Sequence, residues 1–570
     1  MTQRARRMIS ALTAIGLLFG GAATLAPAPL MADAGPYLAA RQATMDRSFQ
    51  ELASYATRAL ASDPQNPVLL ESVISAHISM GDFETTKGYA ALLSQIEPGN
   101  QIAAMSQLTL LVKEGDYDGL VAALEGGQSI STVVDGLMLA WAHVGQGDMS
   151  GALELFDNGA NLSQGFEDFG YYNKALALGL VGDFEGALEV LTESGIRETR
   201  SSVIARIEIL SQLERNDEAL TVLNDNFGEG ELDPVLEGLR ASLAAGETVP
   251  FTVVRSARGG IADVFFAVAA ALDGGLDDGY TLLYARIAET LRPNEANYVL
   301  NVATLLERLG NYDLATAAFD SISPEDPVYP IASLGRAETL RAAGKSEAAL
   351  EVLRQLAKAH PELDDVHIAL GDALRREERY AEAAEAYSVV IDRHQPPTRA
   401  LWPLYFTRGT SYERLEEWEK SEADLRQALE LEPDQPQVLN YLGYSFLELK
   451  TNLDEAMEMI RKAAEMRPQD GYITDSLAWG LYRLGRYEEA VEPMERAAEL
   501  MPVDPIINDH LGDVYWAVGR VREARFQWKR ALSFDPEEDE ANRIRRKLEV
   551  GLDRVLIDEG EEPTRPINDG

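Results

Sequence analysis

The sequence contains no cysteine among its 570 residues and only six histidines. The absence of cysteine excludes disulfide bonds, thiolate metal sites, cysteine nucleophiles and a lipid-modified N-terminal cysteine. No two histidines have the i, i+4 spacing that places two ligands on one helix face, so no metal or other cofactor is predicted. The nucleophile-elbow pattern G-x-S-x-G is absent as well. Together these absences favour a protein that is not an enzyme.

Positive charge is also scarce, because 51 lysines and arginines stand against 93 aspartates and glutamates, for a net charge of −42. Such a surface repels nucleic acid and anionic lipid headgroups, so nucleic acid is not predicted as a partner and basic proteins are favoured. The alternative is that the charge serves only the solubility of a long exposed surface.

Long apolar runs are confined to the N-terminus, where residues 1–34 predict a signal peptide. Three arginines precede an apolar run over residues 9–25, and Ala32 and Ala34 supply the small residues that a signal peptidase needs. The alternative is an uncleaved membrane anchor, but the run is short and rich in glycine. We expect cleavage after Ala34, a periplasmic location, and no transmembrane helix after the signal is removed.

A repeat of 34 residues dominates the chain from 436 to 536. Three units there each open with a leucine beside a small residue, continue through an aromatic residue or leucine and an alanine, and close on a proline. The closing prolines, Pro468, Pro502 and Pro536, are 34 residues apart. This period is the signature of tetratricopeptide (TPR) repeats. The sequence therefore predicts an all-α superhelical solenoid of about thirteen helix pairs with a C-terminal capping helix.

The period varies along the chain and predicts its organisation. Turns of Gly-Asp followed by an apolar residue begin at residues 81, 115, 147 and 182. Residues 229–260 break the period after one helix near 234–245, and they are either a junction between two arrays or a decayed repeat. The predicted parts are a signal peptide (1–34), a degenerate N-terminal TPR array (35–228), an irregular junction (229–260), a C-terminal TPR array (261–536), a capping helix (537–557) and a disordered acidic tail (558–570).

A stacked array exposes the first helix of each pair on a concave inner face. With Gly443, Ala478 and Gly512 as the packing positions, residues three before, one after and four after should line a groove. Aromatic rings, carboxylates and an amide at these places suit an extended polypeptide. The alternative is that the rings pack between repeats. The predicted binding residues are Asn440, Tyr444, Asp475, Trp479, Tyr482, Asp509, His510, Asp513 and Trp516.

The last repeat also carries a basic strip that is a second candidate contact. Its alternative role is pairing with the neighbouring acidic helix. The strip consists of Arg520, Arg522, Arg525, Lys529 and Arg530.

Several segments go beyond what the repeat pattern requires. They are residues 440–445 (NYLGYS), 452–457 (NLDEAM), 470–477 (DGYITDSL), 507–516 (INDHLGDVYW) and 523–532 (EARFQWKRAL). Through them the chain resembles a family of proteobacterial envelope TPR proteins, strongly over about 260–535 and weakly before 200. Some members are outer-membrane lipoproteins that deliver periplasmic cell-wall hydrolases to carboxy-terminal processing proteases. The resemblance implies an adaptor with such a protease and its substrates as partners, although a chain without cysteine cannot be lipidated.

Three functional hypotheses remain open at this point. The first is an exported, non-catalytic scaffold that binds proteins or extended peptides in its concave groove. The second is a structural subunit of an envelope complex that makes contact through its ends. The third is an enzyme with a site hidden in the N-terminal array, against which the regular turns through Gly182 argue.

Overall fold

The computed structural model describes residues 34–161, 167–193, 196–228, 230, 232–275 and 277–564. The predicted signal peptide lies outside these residues except for Ala34. The described part of the chain forms 31 α-helices, one short 3₁₀ helix at Arg399–Leu401, and no strand. The prediction of an all-α fold is confirmed. No helix in this part is both long and apolar enough to cross a membrane.

The chain divides into two compact units, residues 1–332 and 333–570, and the division falls within helix α18. The helices of the first unit up to that point are α1 (Ala34–Met45), α2 (Phe49–Leu60), α3 (Pro67–Ser79), α4 (Phe83–Ile96), α5 (Gln101–Glu114), α6 (Tyr117–Glu125), α7 (Thr132–Gln146), α8 (Met149–Asn161), α9 (Glu167–Leu180), α10 (Phe184–Glu193), α11 (Arg200–Gln212), α12 (Asn216–Phe227), α13 (Pro234–Ala244), α14 (Ala257–Leu272), α15 (Asp278–Leu291), α16 (Ala296–Arg308) and α17 (Tyr312–Asp320).

The helices from α18 onward also follow one another in consecutive pairs, so that each pair has a first and a second helix. They are α18 (Tyr329–Ala342), α19 (Ser346–Ala359), α20 (Asp364–Arg376), α21 (Tyr380–Arg393), α22 (Trp402–Arg414), α23 (Trp418–Leu431), α24 (Pro436–Glu448), α25 (Leu453–Met466), α26 (Gly471–Arg483), α27 (Tyr487–Leu500), α28 (Pro505–Ala517), α29 (Val521–Leu532), α30 (Glu538–Val550) and α31 (Leu552–Asp558).

The Gly-Asp turns connect the two helices of a pair by a mechanism visible in the backbone. Gly115 ends α5 with φ +76°, in the left-handed region that glycine adopts without a steric penalty. The side chain of the next residue, Asp116, accepts a hydrogen bond of 2.9 Å from the backbone N–H of Gly119 and so caps α6. Asp82 caps α4 in the same way.

The segment predicted as a junction contains the expected helix, α13, and then an extended stretch over residues 245–256. This stretch packs along α11. The backbone N–H of Val249 donates to Ser211 Oγ at 2.8 Å, and the N–H groups of Thr252 and Val253 donate to Glu208 at 2.6 and 3.2 Å. The division into compact units lies about seventy residues further on, because this segment leads the chain back into the first unit.

Helices α14 and α15 occupy the inner face of the first unit. Helix α14 packs against α7 and α9, and α15 packs against α3 and α5, which are first helices of their pairs. A Cβ at Gly260 would lie 2.3 Å from the ring of Trp141, so only glycine allows this approach. Arg286 Nε donates to the carbonyl of Ser79 at 2.9 Å, and Gln101 Nε2 donates to the hydroxyl of Tyr280 at 2.8 Å. Helices α14 and α15 therefore cover the described first helices α3, α5, α7 and α9.

A buried carboxyl group lies on α14 where that helix meets α9. Asp263 is enclosed between Tyr172 and Tyr298, and the hydroxyl of Tyr298 donates to its Oδ1 at 3.4 Å. Burial raises the pKa of Asp263 to about 6, with only partial opposition from the charge of Arg292.

In the second unit, small residues stand where the two helices of a pair touch, as the repeat pattern predicts. A Cβ at Gly443 would lie 2.8 Å from Ile460, and one at Gly512 would lie 2.4 Å from the ring of Trp528. The close approach fixes the packing of α24 on α25 and of α28 on α29.

The C-terminal end differs from the single capping helix predicted over 537–557. Two helices, α30 and α31, are present because Gly551 has φ +87° and ψ 157°, outside the helical region. Residues 559–564, expected to be disordered, are held by side-chain contacts: Arg543 to Glu559 at 2.9 Å, Lys450 to Glu561 at 2.7 Å, and Thr564 to Asp553 at 2.7 Å. The rest of the predicted tail, 565–570, lies outside the described residues.

Candidate ligand groove

Four of the predicted binding residues form one buried network on α26 and α28. His510 Nδ1 lies 3.0 and 3.1 Å from the two carboxylate oxygens of Asp475. The indole of Trp479 stacks on His510 with a centroid distance of 3.9 Å and on Tyr482 at 4.7 Å. Its Nε1 donates to Glu448 Oε1 at 2.9 Å. The rings thus bind one another and leave Trp479 only 8% exposed, as the alternative of packing between repeats describes.

The protonation of His510 depends on the same network. Burial disfavours the imidazolium, but the negative charges of Asp475, Asp509 and Asp513 outweigh it and hold the pKa of His510 above its ordinary value. Because Nδ1 of the ring contacts the carboxylate of Asp475, His510 links α26 and α28 by a hydrogen bond.

The carboxylates of α28 are covered by the C-terminal cap. Lys547 on α30 is 0% exposed, and its Nζ donates to Asp509 Oδ2 at 2.7 Å and to the two oxygens of Asp513 at 2.8 and 2.7 Å. Trp528 Nε1 also donates to Asp513 Oδ1 at 2.8 Å. Burial raises the pKa of Asp513, against the opposing charges of Lys547 and Arg543. These two predicted residues therefore anchor the cap.

Trp516, the last of the predicted residues, also contacts the cap. Its Nε1 donates to Asp553 Oδ2 on α31 at 2.8 Å. Its ring lies where a side chain at Gly551 would be, 2.7 Å from an added Cβ. The inner face at α28 is consequently filled by the chain itself.

Asn440 and Tyr444, on α24, are half-buried and lie nearer the open part of the inner face. Oδ1 of Asn440 is buried and accepts no hydrogen bond. Burial and the nearby charges of Glu448 and Asp475 raise the pKa of Tyr444, whose hydroxyl is also hydrogen-bonded to Glu448. Both side chains are therefore turned toward groups of the protein itself.

An open cavity of about 400 Å³ lies next to them on the inner face, between α20, α22 and α24. Phe406 and Thr410 stand three residues before and one after Gly409, the same offsets from the packing position that place Asn440 and Tyr444 about Gly443. Two of the three offsets used in the prediction thus recur in the lining of this cavity, one repeat away from the predicted residues. The cavity is lined by Arg375, Tyr380, Phe406, Thr407, Thr410, Ser411, Arg414 and Tyr441.

The charged lining of this cavity is cationic. The guanidinium of Arg414 lies 5.4 Å from the ring centroid of Tyr380, and both Arg375 and Arg414 are exposed. Phe406 and Tyr441 meet edge to face at 5.7 Å and form an apolar wall. Two cations, aromatic rings and three hydroxyl groups can bind a ligand that carries a negative charge and an apolar group.

Carboxylates also lie near the cavity, and a hydrogen bond from a neutral tyrosine leaves such a group its negative charge. Glu413 and Glu378 act electrostatically on Arg414. Three carboxylates of this region are hydrogen-bonded by side chains of the same or a neighbouring helix. The pairs are Tyr441 Oη to Glu413 at 3.1 Å, Tyr387 Oη to Asp372 at 2.7 Å, and Arg408 to Asp424 at 2.7 and 2.8 Å.

The basic strip of α29 is mostly engaged within the chain. Arg520 pairs with Glu495 at 2.8 Å, Arg530 donates to the carbonyl of Pro502 at 2.8 Å, and Arg525 donates to the carbonyl of Leu548. Arg522 and Lys529 are exposed. The strip acts in part as the alternative describes, by pairing with a neighbouring helix.

Sequence reasoning missed Arg375, Phe406 and Arg414. A signal was available: Arg376, Arg414 and Arg483 each stand five residues after the packing position of a first helix. The prediction concerns α24, α26 and α28 because they belong to the most regular repeats, although α22 carries more aromatic residues than any of them. Among the described residues, no three His, Asp or Glu side chains lie close enough together to hold a metal ion.

Comparison with curated proteins finds relatives that match part of the chain. A TPR repeat-containing protein of Pseudomonas aeruginosa is 29% identical over 190 residues, 33% of this chain and 31% of its own length. A homologue of the lipoprotein NlpI in Haemophilus influenzae is 38% identical over 86 residues, 15% of this chain and 26% of its own. The chain spans about a third or less of the length of the curated relatives it matches.

Solved structures resemble the chain more loosely. The Cut9–Hcn1 hetero-tetramer of the APC/C has 14% identity and a TM-score of 0.36, with 91% of this chain and 96% of that chain covered. A likeness of that degree does not establish how the repeats are arranged. The family model for the tetratricopeptide repeat matches residues 334–396, 406–471 and 476–539. These three stretches of the second unit are therefore similar to tetratricopeptide repeats.

Proposed function

We propose that this protein is an exported scaffold that binds protein partners as extended segments on the inner face of its second unit. The observation that carries the proposal is the open cavity at α20, α22 and α24, with Arg375, Arg414 and Phe406 in its lining. TPR arrays bind proteins and peptides through such concave surfaces. The proposal assigns no catalytic step to the chain.

The polar lining of the cavity supports an extended peptide as the form of the ligand, because an extended backbone presents unpaired N–H and C=O groups. The hydroxyls of Thr407, Thr410 and Ser411 line this cavity. Each of them already donates a hydrogen bond to a backbone carbonyl of α22. Their lone pairs remain available to ligand N–H groups.

The location is proposed from the sequence of residues 1–34, which has the charged start, apolar run and small residues of a signal peptide. The family resemblance adds a finer proposal, in which the bound protein is a substrate presented to a periplasmic carboxy-terminal processing protease. The absence of cysteine separates this chain from lipid-anchored adaptors.

Site-specific photo-cross-linking in the producing cells tests the binding surface. A photoreactive amino acid at Thr410 lies in the cavity, and one at Ala423 lies exposed on α23, the second helix of the same pair. We expect adducts with one protein or a small set of proteins from position 410 that position 423 does not give. Identical adducts from both positions, or none from 410, would contradict binding at this face.

Export is tested separately on the same preparation. We expect the protein in the periplasmic fraction, with an N-terminus at or near Gly35 by N-terminal sequencing. An N-terminus at Met1 would refute cleavage, and recovery only from the cytoplasm would refute export.

A further inference from the structure

We infer that the inner face of the second unit selects a peptide segment bearing carboxylates, although the protein as a whole is strongly acidic. The inference rests on the proposed function and names the chemistry of the partner. The sequence alone favours basic partners because of the net charge of −42. The two charged side chains that line the cavity, Arg375 and Arg414, have the opposite sign, and a bound segment contacts them directly.

Cations recur where the first helices of the second unit end. Arg376 ends α20, Arg414 ends α22, Lys450 follows α24 by two residues, and Arg483 ends α26. Helix α24 packs against α26, and Tyr441 of α24 contacts Phe406 and Glu413 of α22. We name the row of cations at the C-terminal ends of these first helices the cationic edge.

A helix-dipole effect explains part of this pattern, because cations near a helix C-terminus are stabilising without any ligand. Two observations go beyond it. Arg375 and Arg414 line a cavity with aromatic walls, and a carboxylate already occupies the next position along the edge. That carboxylate is Glu561 of the C-terminal segment, with Oε1 at 2.7 Å from Lys450 Nζ.

The contact with Glu561 shows how a carboxylate is received there. The hydrogen bond from Lys450, with smaller contributions from the charges of Lys450 and Arg483, lowers the pKa of Glu561 below its ordinary value. Glu561 thus contacts the cation that follows α24 and is stabilised by the charge at the end of α26. The chain's own acidic segment occupies one step of the surface that the proposed ligand would follow.

The packing distance sets the spacing of acidic residues in the ligand. Neighbouring helices lie about 8–10 Å apart, and an extended segment advances roughly 3.3 Å per residue, so one step along the edge takes about three residues. A segment with glutamates three residues apart can place one carboxylate at Arg414 and the next at Lys450. The ring wall of Phe406 and Tyr441 accepts an apolar residue between them.

Fluorescence anisotropy with the mature chain tests the inference at about 0.15 M salt. The probe is a labelled ten-residue peptide with three glutamates at spacing three and one leucine, compared with the same peptide carrying glutamines. We expect the glutamate peptide to bind at least tenfold more tightly, because hydrogen bonds between ionised groups are worth about 1.5–3 kcal/mol. Equal binding of the two peptides would overturn the inference.

Variants locate the contact. Arg414→Glu should weaken the glutamate peptide at least tenfold, and Arg375→Gln is a second variant with a smaller change of side chain. The matched control is Arg522→Glu, which removes an exposed arginine on α29, away from the cavity. Circular dichroism checks that the helices remain. Equal losses of affinity in Arg414→Glu and Arg522→Glu would show that the peptide responds only to the overall charge of the protein, and would overturn the inference.

Glu561, the carboxylate that contacts Lys450, allows an independent test. Glu561→Gln should tighten binding of the glutamate peptide severalfold, because it frees Lys450 without removing a groove residue. An unchanged or weaker affinity would show that the peptide does not reach Lys450. If position 410 cross-links a partner and the glutamate peptide has no preference, only the choice of ligand fails; if position 410 also gives no adduct, the proposed function fails with it.

Discussion

Replacing Lys547 by methionine removes the buried cation that holds the cap on the second unit. Its ammonium makes contacts of 2.7–2.8 Å to Asp509 and Asp513, and the side chain of Asp513 is 1% exposed. Breaking a buried pair by removing one partner costs about 3–5 kcal/mol. Arg543 stays 3.8 Å from Asp513, so we expect the lower end, about 3 kcal/mol.

Urea denaturation followed by tryptophan fluorescence measures this loss, because five of the six tryptophans lie in the second unit. The matched control is Lys529→Met, an exposed lysine on α29, for which we expect a change below about 0.5 kcal/mol. The double variant K547M/D513N should recover at least half of the loss, since it leaves no unpaired charge at position 513.

The pH dependence of K547M supplies a second signature. Without the ammonium, the pKa of Asp513 rises further above its unfolded value, so the folded state gains stability as pH falls through that pKa. We therefore expect the difference between K547M and the wild type to shrink from pH 7.5 to pH 5. Two results would refute the assignment of Lys547 as the electrostatic anchor of the cap. One is a free energy of unfolding of K547M within about 0.5 kcal/mol of wild type at pH 7.5, and the other is a loss of stability that does not change with pH.

Three further predictions concern other parts of the molecule. Asp263 has a pKa of about 6 in the fold against 3.9 when unfolded, so its burial is tolerated below pH 4 and costs up to about 3 kcal/mol once pH exceeds 6. Thermal unfolding of Asp263→Asn should therefore improve relative to wild type from pH 4 to 7.5, and a constant difference would contradict this. Gly260→Ala should destabilise the first unit by about 1–3 kcal/mol, measured by hydrogen exchange, because its Cβ would lie 2.3 Å from Trp141. Gly238→Ala, on an exposed helix face, should stabilise the unit by about 0.5–1 kcal/mol. Similar effects at both sites would disprove the contact with Trp141. Trp479→Ala should cost about 3–5 kcal/mol in urea denaturation, and a loss below 1 kcal/mol would show that its stack is not structural.

Local features of the repeats could be predicted from the sequence because their causes are local. Gly443 meets Ile460 and Gly512 meets Trp528 within single repeats, so a small residue at a fixed offset is enough to reveal the contact. The Gly-Asp turns are equally local, since Asp116 caps the helix that starts beside it. Such contacts recur at each period and can be counted.

The features that escaped prediction join residues far apart in the chain. Arg286 reaches Ser79 across 207 residues, and no periodicity marks a helix pair that will fold back into the inner face. Lys547 resembles any basic residue of a polar capping helix until Asp509 and Asp513 bury it. For the same reason, the aromatic and acidic residues of α26 and α28 gave no sign that the cap covers them.

The insertion of α14 and α15 gives the first unit a folding requirement that a linear repeat array does not have. Neighbouring repeats can normally pair as soon as each is made. Here the carbonyl of Ser79 can form its hydrogen bond only after Arg286 has been synthesised, and the ring of Trp141 can be covered only after Gly260 has been synthesised. At a synthesis rate of about 5–20 residues per second, the delay for Ser79 is roughly 10–40 s. During that interval the apolar inner surfaces of α3, α5 and α7 are uncovered, and a chaperone or any partner that binds them competes with completion of the native fold.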